Sequence, residues 1–216
     1  MTHDPDIQER LLSVCVRWSE EIREIIGYDL RIAYMHRELP GLILDGDLFR
    51  QILASVVEGR DYPDIEGSTM FATEIILFRD PGREFSVRMY LWGPGEHDPI
   101  HDHNSWGVIG AVSGGLEVIN YKRLDDGANK HHALIEESDR IVVQRGETTP
   151  VLPMNDGIHR TGNAGESTIV QVAVYGGNQT GRNYVHTFDT VTGRISRLYS
   201  QQNKKRMLAL DALRDL

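Results

Sequence analysis

Apolar positions along the chain change their period near residue 67. Upstream, Leu11, Leu12, Val16, Ile22 and Ile26 recur near helical spacing and predict an amphipathic helix over 7–26. Asp4 is placed to cap it, and Pro5 suits its first turn. A second helix is expected within 42–58, from Asp47 onward, stopped by Gly59. Downstream, the apolar residues fall in short β-rich runs at 71–79, 84–92, 106–112, 116–123, 133–144, 148–152, 167–175, 185–190 and 194–199. Asp80-Pro-Gly, Ser113-Gly-Gly and Asp125-Asp-Gly punctuate them as turns. Runs of this length and spacing predict antiparallel strands in a sandwich or barrel. The tail, 201–216, reads as a short helix. The expected organisation is one domain over 1–216: a helical part at 1–66, a β-barrel at 67–200 and a C-terminal helix. The predicted fold is mainly β, a jelly-roll (double-stranded β-helix) barrel with the N-terminal helices packed on it.

Composition narrows the function. The chain has 216 residues, enough to bury a core, and a formal net charge of −9. An acidic chain is a poor partner for nucleic acid, whose phosphates call for clustered Lys and Arg. The one basic run, Lys204-Lys205-Arg206, reads as a solvated helix face. No apolar run reaches the ~18 residues of a membrane span. Cys15 is the only cysteine, so no intrachain disulfide forms; it reads as a small buried hydrophobe in a reducing compartment. The first residues show no signal-peptide pattern. A cytoplasmic monomer or homodimer acting on a small molecule is expected.

The chemistry concentrates in Trp92-Gly-Pro-Gly-Glu-His-Asp-Pro-Ile-His-Asp-His-Asn-Ser-Trp106. On an extended chain, residues i and i+2 share a face, so His101 and His103 can grip one metal ion. A third histidine, His159, stands in Gly157-Ile-His-Arg. Imidazole suits Fe, Zn, Cu and Ni better than Mg or Ca. The two stretches resemble the two metal motifs of cupins. Many cupins carry a glutamate ligand shortly after the His-x-His pair. Here Ser105, Trp106, Gly107 and Val108 occupy those positions, which leaves three neutral histidines. Such a set leaves a divalent ion its full charge and favours an anionic small substrate.

Trp92-Gly-Pro-Gly, Pro99-Ile-His-Asp-His-Asn-Ser-Trp-Gly-Val-Ile-Gly110, Val174-Tyr-Gly-Gly-Asn178 and His186-Thr-Phe-Asp189 together resemble bacterial thiol dioxygenases related to cysteine dioxygenase. The resemblance implies non-haem Fe(II), one per chain, held by His101, His103 and His159. It implies O2 as co-substrate and a small thiol carboxylate, such as cysteine or 3-mercaptopropionate, oxidised to its sulfinate. Tyr175 matches the family's tyrosine near the iron. Gly107 matches the position at which animal cysteine dioxygenases carry a cysteine cross-linked to that tyrosine, so no cross-link forms. Where the family has a serine and a histidine ahead of the tyrosine, this chain has Gln171 and Ala173. Where cysteine dioxygenase has its carboxylate-binding arginine, it has Thr73.

A carboxylate clamp must then come from elsewhere. Arg88, Tyr90 and Trp92 share one face of a predicted strand. Arg88 either turns into the cavity and pairs with a substrate carboxylate, or lies outward or pairs with Glu74. Arg182 is a second candidate, and Arg160 a weaker one. Trp92, Trp106, Tyr90 and Tyr175 are candidate pocket walls. His186 is a candidate to stand behind the metal ligands, as is Gln171. The alternative function is a non-oxidative metal-dependent cupin, a lyase, isomerase or small-molecule sensor, built on the same three histidines. A barrel whose metal serves only stability is a third.

Overall fold

The structure is a computed structural model and describes residues 7–214. Helix α1 spans Ile7–Glu24 and buries Leu11, Cys15, Trp18, Ser19 and Ile22. Leu11 and Ile22 face inward as the sequence predicts, but Leu12, Val16 and Ile26 are exposed, and Cys15 and Trp18 complete the inward stripe. The expected cap and first-turn residues, Asp4 and Pro5, lie outside the described residues. Helix α2, Tyr28–Ile43, was not anticipated. Pro40 and Gly41 in its last turns read as breakers, yet Tyr34, Met35, Leu39, Leu42 and Ile43 are buried along one side. Helix α3, Gly46–Glu58, begins at Asp45, whose carboxylate accepts the Leu48 N–H at 3.0 Å. It ends at Gly59 in the left-handed conformation, φ 65°.

Ten strands follow: β1 Glu74–Arg79, β2 Phe85–Trp92, β3 Gly107–Ser113, β4 Leu116–Arg123, β5 Ile135–Val143, β6 Thr148–Val151, β7 His159–Gly162, β8 Ile169–Gly176, β9 Tyr184–Phe188 and β10 Ile195–Tyr199. One sheet has the order β1-β2-β8-β3-β6, a second β5-β4-β7, and β9 pairs with β10. The segment around His101 bridges β7 on one side and β9 on the other. It therefore joins the second sheet to the ribbon, and the two walls face each other as a jelly-roll. β7 was missed in the sequence because its four residues, His-Arg-Thr-Gly, carry no apolar alternation.

The five-stranded sheet is buried on both faces. Val87 and Met89 of β2, Val108 of β3, and Val172 and Val174 of β8 pack outward against Trp18, Ile22, Met35 and Phe49 of the helices. Alternate residues, Tyr90, Trp92, Ile109, Ala111, Ile169 and Ala173, point into the barrel against Leu116, Val118 and Val143. Gly110 allows α2 to lie close: a Cβ there would come within 2.8 Å of Ile43 Cδ1 and 2.9 Å of the Glu147 carbonyl. Helix α4, Gln201–Ala212, buries no residue. Its N-terminal turn is tied to the loop before β1, with Gln202 N–H donating to Ser68 Oγ at 2.8 Å. Among the described residues no helix is long and apolar enough to cross a membrane.

Candidate metal centre

His101 is fixed by main-chain pairing. Its N–H donates to the His159 carbonyl at 2.8 Å, and the His159 N–H returns a bond at 3.0 Å. This exchange sets His101 and His159 side by side, both turned inward. The Asp102 side chain between the two ligands of the His-x-His pair points the other way. Its carboxylate accepts the His186 N–H at 2.7 Å and Arg182 Nη1 at 3.0 Å, and it meets His186 Nδ1 at 3.0 Å. Desolvation opposes ionisation of Asp102, but the His186 hydrogen bonds and the Arg182 charge outweigh it and hold the carboxyl below its usual range. Asp102 thus pins the ligand-bearing segment to β9 from behind.

The three imidazoles are buried, and their ligand nitrogens lie within 4.8 Å of one another. Ring centroids are 4.7 to 5.0 Å apart, and His103 Nε2 lies 2.9 Å from His159 Nε2. His101 Nδ1 sits 2.9 Å from the Pro99 carbonyl. A carbonyl only accepts, so Nδ1 carries the proton and Nε2 is left as a donor to a metal. Among the described residues this is the one His/Cys/Asp/Glu cluster of metal-binding geometry, and it contains no carboxylate. The donor set therefore fits a borderline transition-metal ion.

Burial, and then the neighbouring imidazoles, hold His103 well below the ordinary 6.5, and burial followed by His101 does the same for His159. Both stay neutral and able to ligate in mildly acidic solution. Unfolded histidines bind protons below about pH 6.5, whereas the folded ones resist. Metal-free protein should therefore lose stability as pH falls below about 6.5, by up to about 1.4 kcal/mol per pH unit for each of the two histidines. Urea titrations of chelator-treated protein at pH 7.5 and 5.5 check this; equal midpoints would contradict it.

A cleft of about 510 Å³ opens above the cage. Tyr175 lies on its wall, its ring stacked on His103 at 5.3 Å and 24°. Burial raises the Tyr175 and Tyr90 hydroxyls above their ordinary range, so both hold their protons at neutral pH. Gly107 is paired with Tyr175, and a Cβ at this position would meet Tyr175 Cδ1 at 2.5 Å. Phe71 approaches His101 at 5.1 Å and Tyr90 at 6.2 Å.

Arg88 lines the cleft and at the same time pairs with Glu74, so both dispositions open from the sequence occur together. Its Nε donates to Ser86 Oγ at 3.1 Å, and its guanidinium stands over the Tyr175 ring at 5.6 Å. Desolvation works against its charge, but Glu74 and then the two tyrosines prevail and keep it protonated. Tyr90 stacks on Trp92 at 5.9 Å. Trp92 is deeper: its indole N–H donates to Gln171 Oε1 at 2.7 Å, which plugs the barrel below the cleft. Gln171 is therefore engaged with Trp92 and not with Tyr175. Trp106 is not a pocket wall. Its position just before β3 turns it outward into the core beneath the helices, where it is fully buried. Arg182 borders the cleft and His186 joins it on Asp102, while Arg182 Nη2 has no hydrogen-bond partner. His97 lies away from the cleft, its Nε2 2.7 Å from Glu117 Oε2. Sequence reasoning passed over Asn104, which ties the cleft's far rim together: Nδ2 donates to the Tyr184 carbonyl at 2.9 Å and Oδ1 accepts Arg182 Nε at 2.8 Å.

No family model matches the chain. Among solved structures it is similar to a cupin-like protein from Thermotoga maritima, at 15% identity over 55% of this chain and 77% of that one, TM-score 0.40. It is similar also to a cupin 2 conserved barrel domain protein from Rhodopseudomonas palustris, at 13% identity over 55% and 68%, TM-score 0.40. A third is a cupin 2 conserved barrel domain protein from Salinispora arenicola, at 18% over 52% and 82%, TM-score 0.36. The class is defined by the strand order and the cage themselves: a cupin-fold barrel with three buried histidines positioned for a metal ion.

Proposed function

We propose that the chain binds ferrous iron at His101, His103 and His159 and oxidises a small thiol carboxylate to its sulfinate with O2. The observation that carries this reading is the all-histidine cage at the floor of a cleft walled by Tyr175, Tyr90 and Arg88. When bound, the ion supplies a site for the thiolate and the redox chemistry that adds both atoms of O2 to sulfur, RS⁻ + O2 giving RSO2⁻ with no external reductant. The protein's part is placement. Arg88 takes the substrate carboxylate with the guanidinium edge that Glu74 leaves free. Tyr175, protonated and held against His103, donates a hydrogen bond to the reacting group. Phe71 and Tyr90 keep water from the side of the cage they cover. The lone buried cysteine, its thiol pushed up to about 12 by burial and then Asp80, suits a reducing, cytoplasmic setting in which free thiols persist.

The test is an oxygen-electrode screen of the iron-loaded protein. Cysteine, 3-mercaptopropionate and mercaptosuccinate are compared with cysteamine, which lacks a carboxylate. Uptake that requires a thiol and is at least about tenfold faster with the carboxylates is expected, since a charge-assisted pair contributes on the order of 1.5 kcal/mol or more. No uptake with any of them ends the proposal. The engagement of Gln171 with Trp92 leaves Tyr175 without the family's serine–histidine support, which favours one rival, a non-oxidative cupin. Metal analysis of protein purified without added metal separates the two, iron against stoichiometric zinc or manganese.

A further inference from the structure

Strand β1 sends Glu74 and Ile76 toward the cleft and Ile75 and Leu77 toward the helices. Strict alternation would turn Phe78 inward and Arg79 outward. The pairing with β2 slips between Ile76 and Phe78: Ile76 lies opposite Arg88, but Phe78 opposite Val87 and Arg79 opposite Ser86. This bulge moves Phe78 onto the helix-side core and turns Arg79 to the cleft. Bulges that re-aim a side chain in this way recur beside functional sites. Arg79 therefore shares a face with Ser86 and Arg88, across the strand pair from the cage.

The charges around it do not balance. Glu74 is the carboxylate of this wall and is fully used. Oε1 holds Arg88, while Oε2 accepts the Met70 N–H at 3.0 Å and the Phe71 N–H at 3.3 Å. Arg79 stands exposed at the cleft's edge, and among the described residues its side chain has neither ion pair nor hydrogen bond. Its pKa is lowered by desolvation and by the Arg88 charge, with Glu74 and Asp64 opposing. Asp64 itself accepts the Glu66 N–H at 3.1 Å. Glu74 thus neutralises Arg88 alone, and Arg79 adds an unpaired positive charge at the edge of the same cleft, beside a cage that would bring more. The volume of about 510 Å³ also leaves room beyond a three-carbon thiol acid.

We propose that Arg79 and Arg88 read two carboxylates, so that the substrate class of this site is a thiol bearing a dicarboxylate. The thiol rests on the reading above; the two-carboxylate site stands on the bulge and the charge count alone. It is tested without oxygen chemistry. Succinate and propionate are titrated calorimetrically into protein carrying zinc in place of iron, for wild type, Arg79→Gln, Arg79→Lys and Arg50→Gln. Arg50→Gln removes the same charge from an exposed face of α3. Wild type should bind succinate at least about tenfold more tightly than propionate. Arg79→Gln should bring the ratio to about two with propionate affinity kept, which also shows that the variant is folded. Arg79→Lys should hold an intermediate ratio as a point charge without the fork. Arg50→Gln should leave the ratio as in wild type.

A wild-type ratio near one overturns the proposal. So does a ratio unchanged in Arg79→Gln, or one lost equally in Arg50→Gln, and so does absence of binding by either acid. If Arg79→Gln fails to fold, a wild-type ratio retained in full by Arg79→Lys speaks against the paired fork. Preference for succinate with no thiol-dependent O2 uptake would remove the thiol chemistry and keep the site. Uptake indifferent to a second carboxylate would do the reverse.

Discussion

Replacing His103 with alanine is expected to empty the metal site and leave the barrel folded. Metal content should drop from about one ion per chain to a tenth or less, and thiol-dependent O2 uptake by 100-fold or more, since loss even of groups that merely support ligands costs 10–100-fold. The fold should survive because the imidazole carries little of the core. The apolar mass lies in the cluster around Trp18, Met35, Val87 and Val174, on the far side of the five-stranded sheet. His103 is also one of three buried rings crowded together, whose mutual contact gives little back without an ion between them. Truncation should cost about 1–2 kcal/mol in the metal-free protein. Far-ultraviolet circular dichroism and a urea midpoint on wild type and variant, both metal-stripped, provide the check. Unfolding of the variant would instead assign the ion a structural role, as in domains whose metal binding is their folding energy.

The metal ligands were legible because a period of two on an extended chain is a local property. His101 and His103 declare themselves wherever that segment is placed, and His159 needed only a partner stretch bounded by glycines. Most strands of the sheets were legible for the same reason, through apolar runs ended by turn residues. The missing helix α2 was hidden by Pro40 and Gly41, whose local cost tertiary burial of Met35, Leu39 and Ile43 overrides. On α1 the sequence places Leu11 and Ile22 correctly but Leu12 and Val16 on the wrong side, because these fit the period as well as Cys15 and Trp18 do, and only the sheet's outer face selects between them. Trp106 was misassigned through a one-residue question of register, since neighbouring positions on a strand face opposite sides. Arg79 was invisible for a deeper reason. Its direction depends on a bulge, an irregularity of pairing between two strands that neither strand's own pattern encodes.

Glu74 should show the reverse of the His103 result, a large loss of stability with the metal site intact. Its side chain is fully enclosed, while 25% of the Arg88 side chain remains exposed. Removing one partner of a buried pair costs about 3–5 kcal/mol because the other charge is left uncompensated; with Arg88 partly solvated, about 2–3 kcal/mol is the better figure for Glu74→Ala. The same change frees the Met70 and Phe71 N–H groups and loosens the loop that covers His101. Glu74→Gln separates the two contributions, since the amide oxygen can still accept from that loop while the charge is gone. It should lose about half as much, with metal content unchanged. The consequence for function is the sharper check. An Arg88 without its counter-ion should recruit a carboxylate from solution, so propionate should stabilise Glu74→Gln more than it stabilises wild type, by mass action on the folded state alone. Thermal midpoints measured at increasing propionate, with chloride as the ionic-strength control, would show two lines of different slope. Parallel lines would mean that Arg88 does not face the ligand, and the carboxylate clamp would have to pass to Arg182 at the other rim of the cleft, whose buried Nη2 has no hydrogen-bond partner.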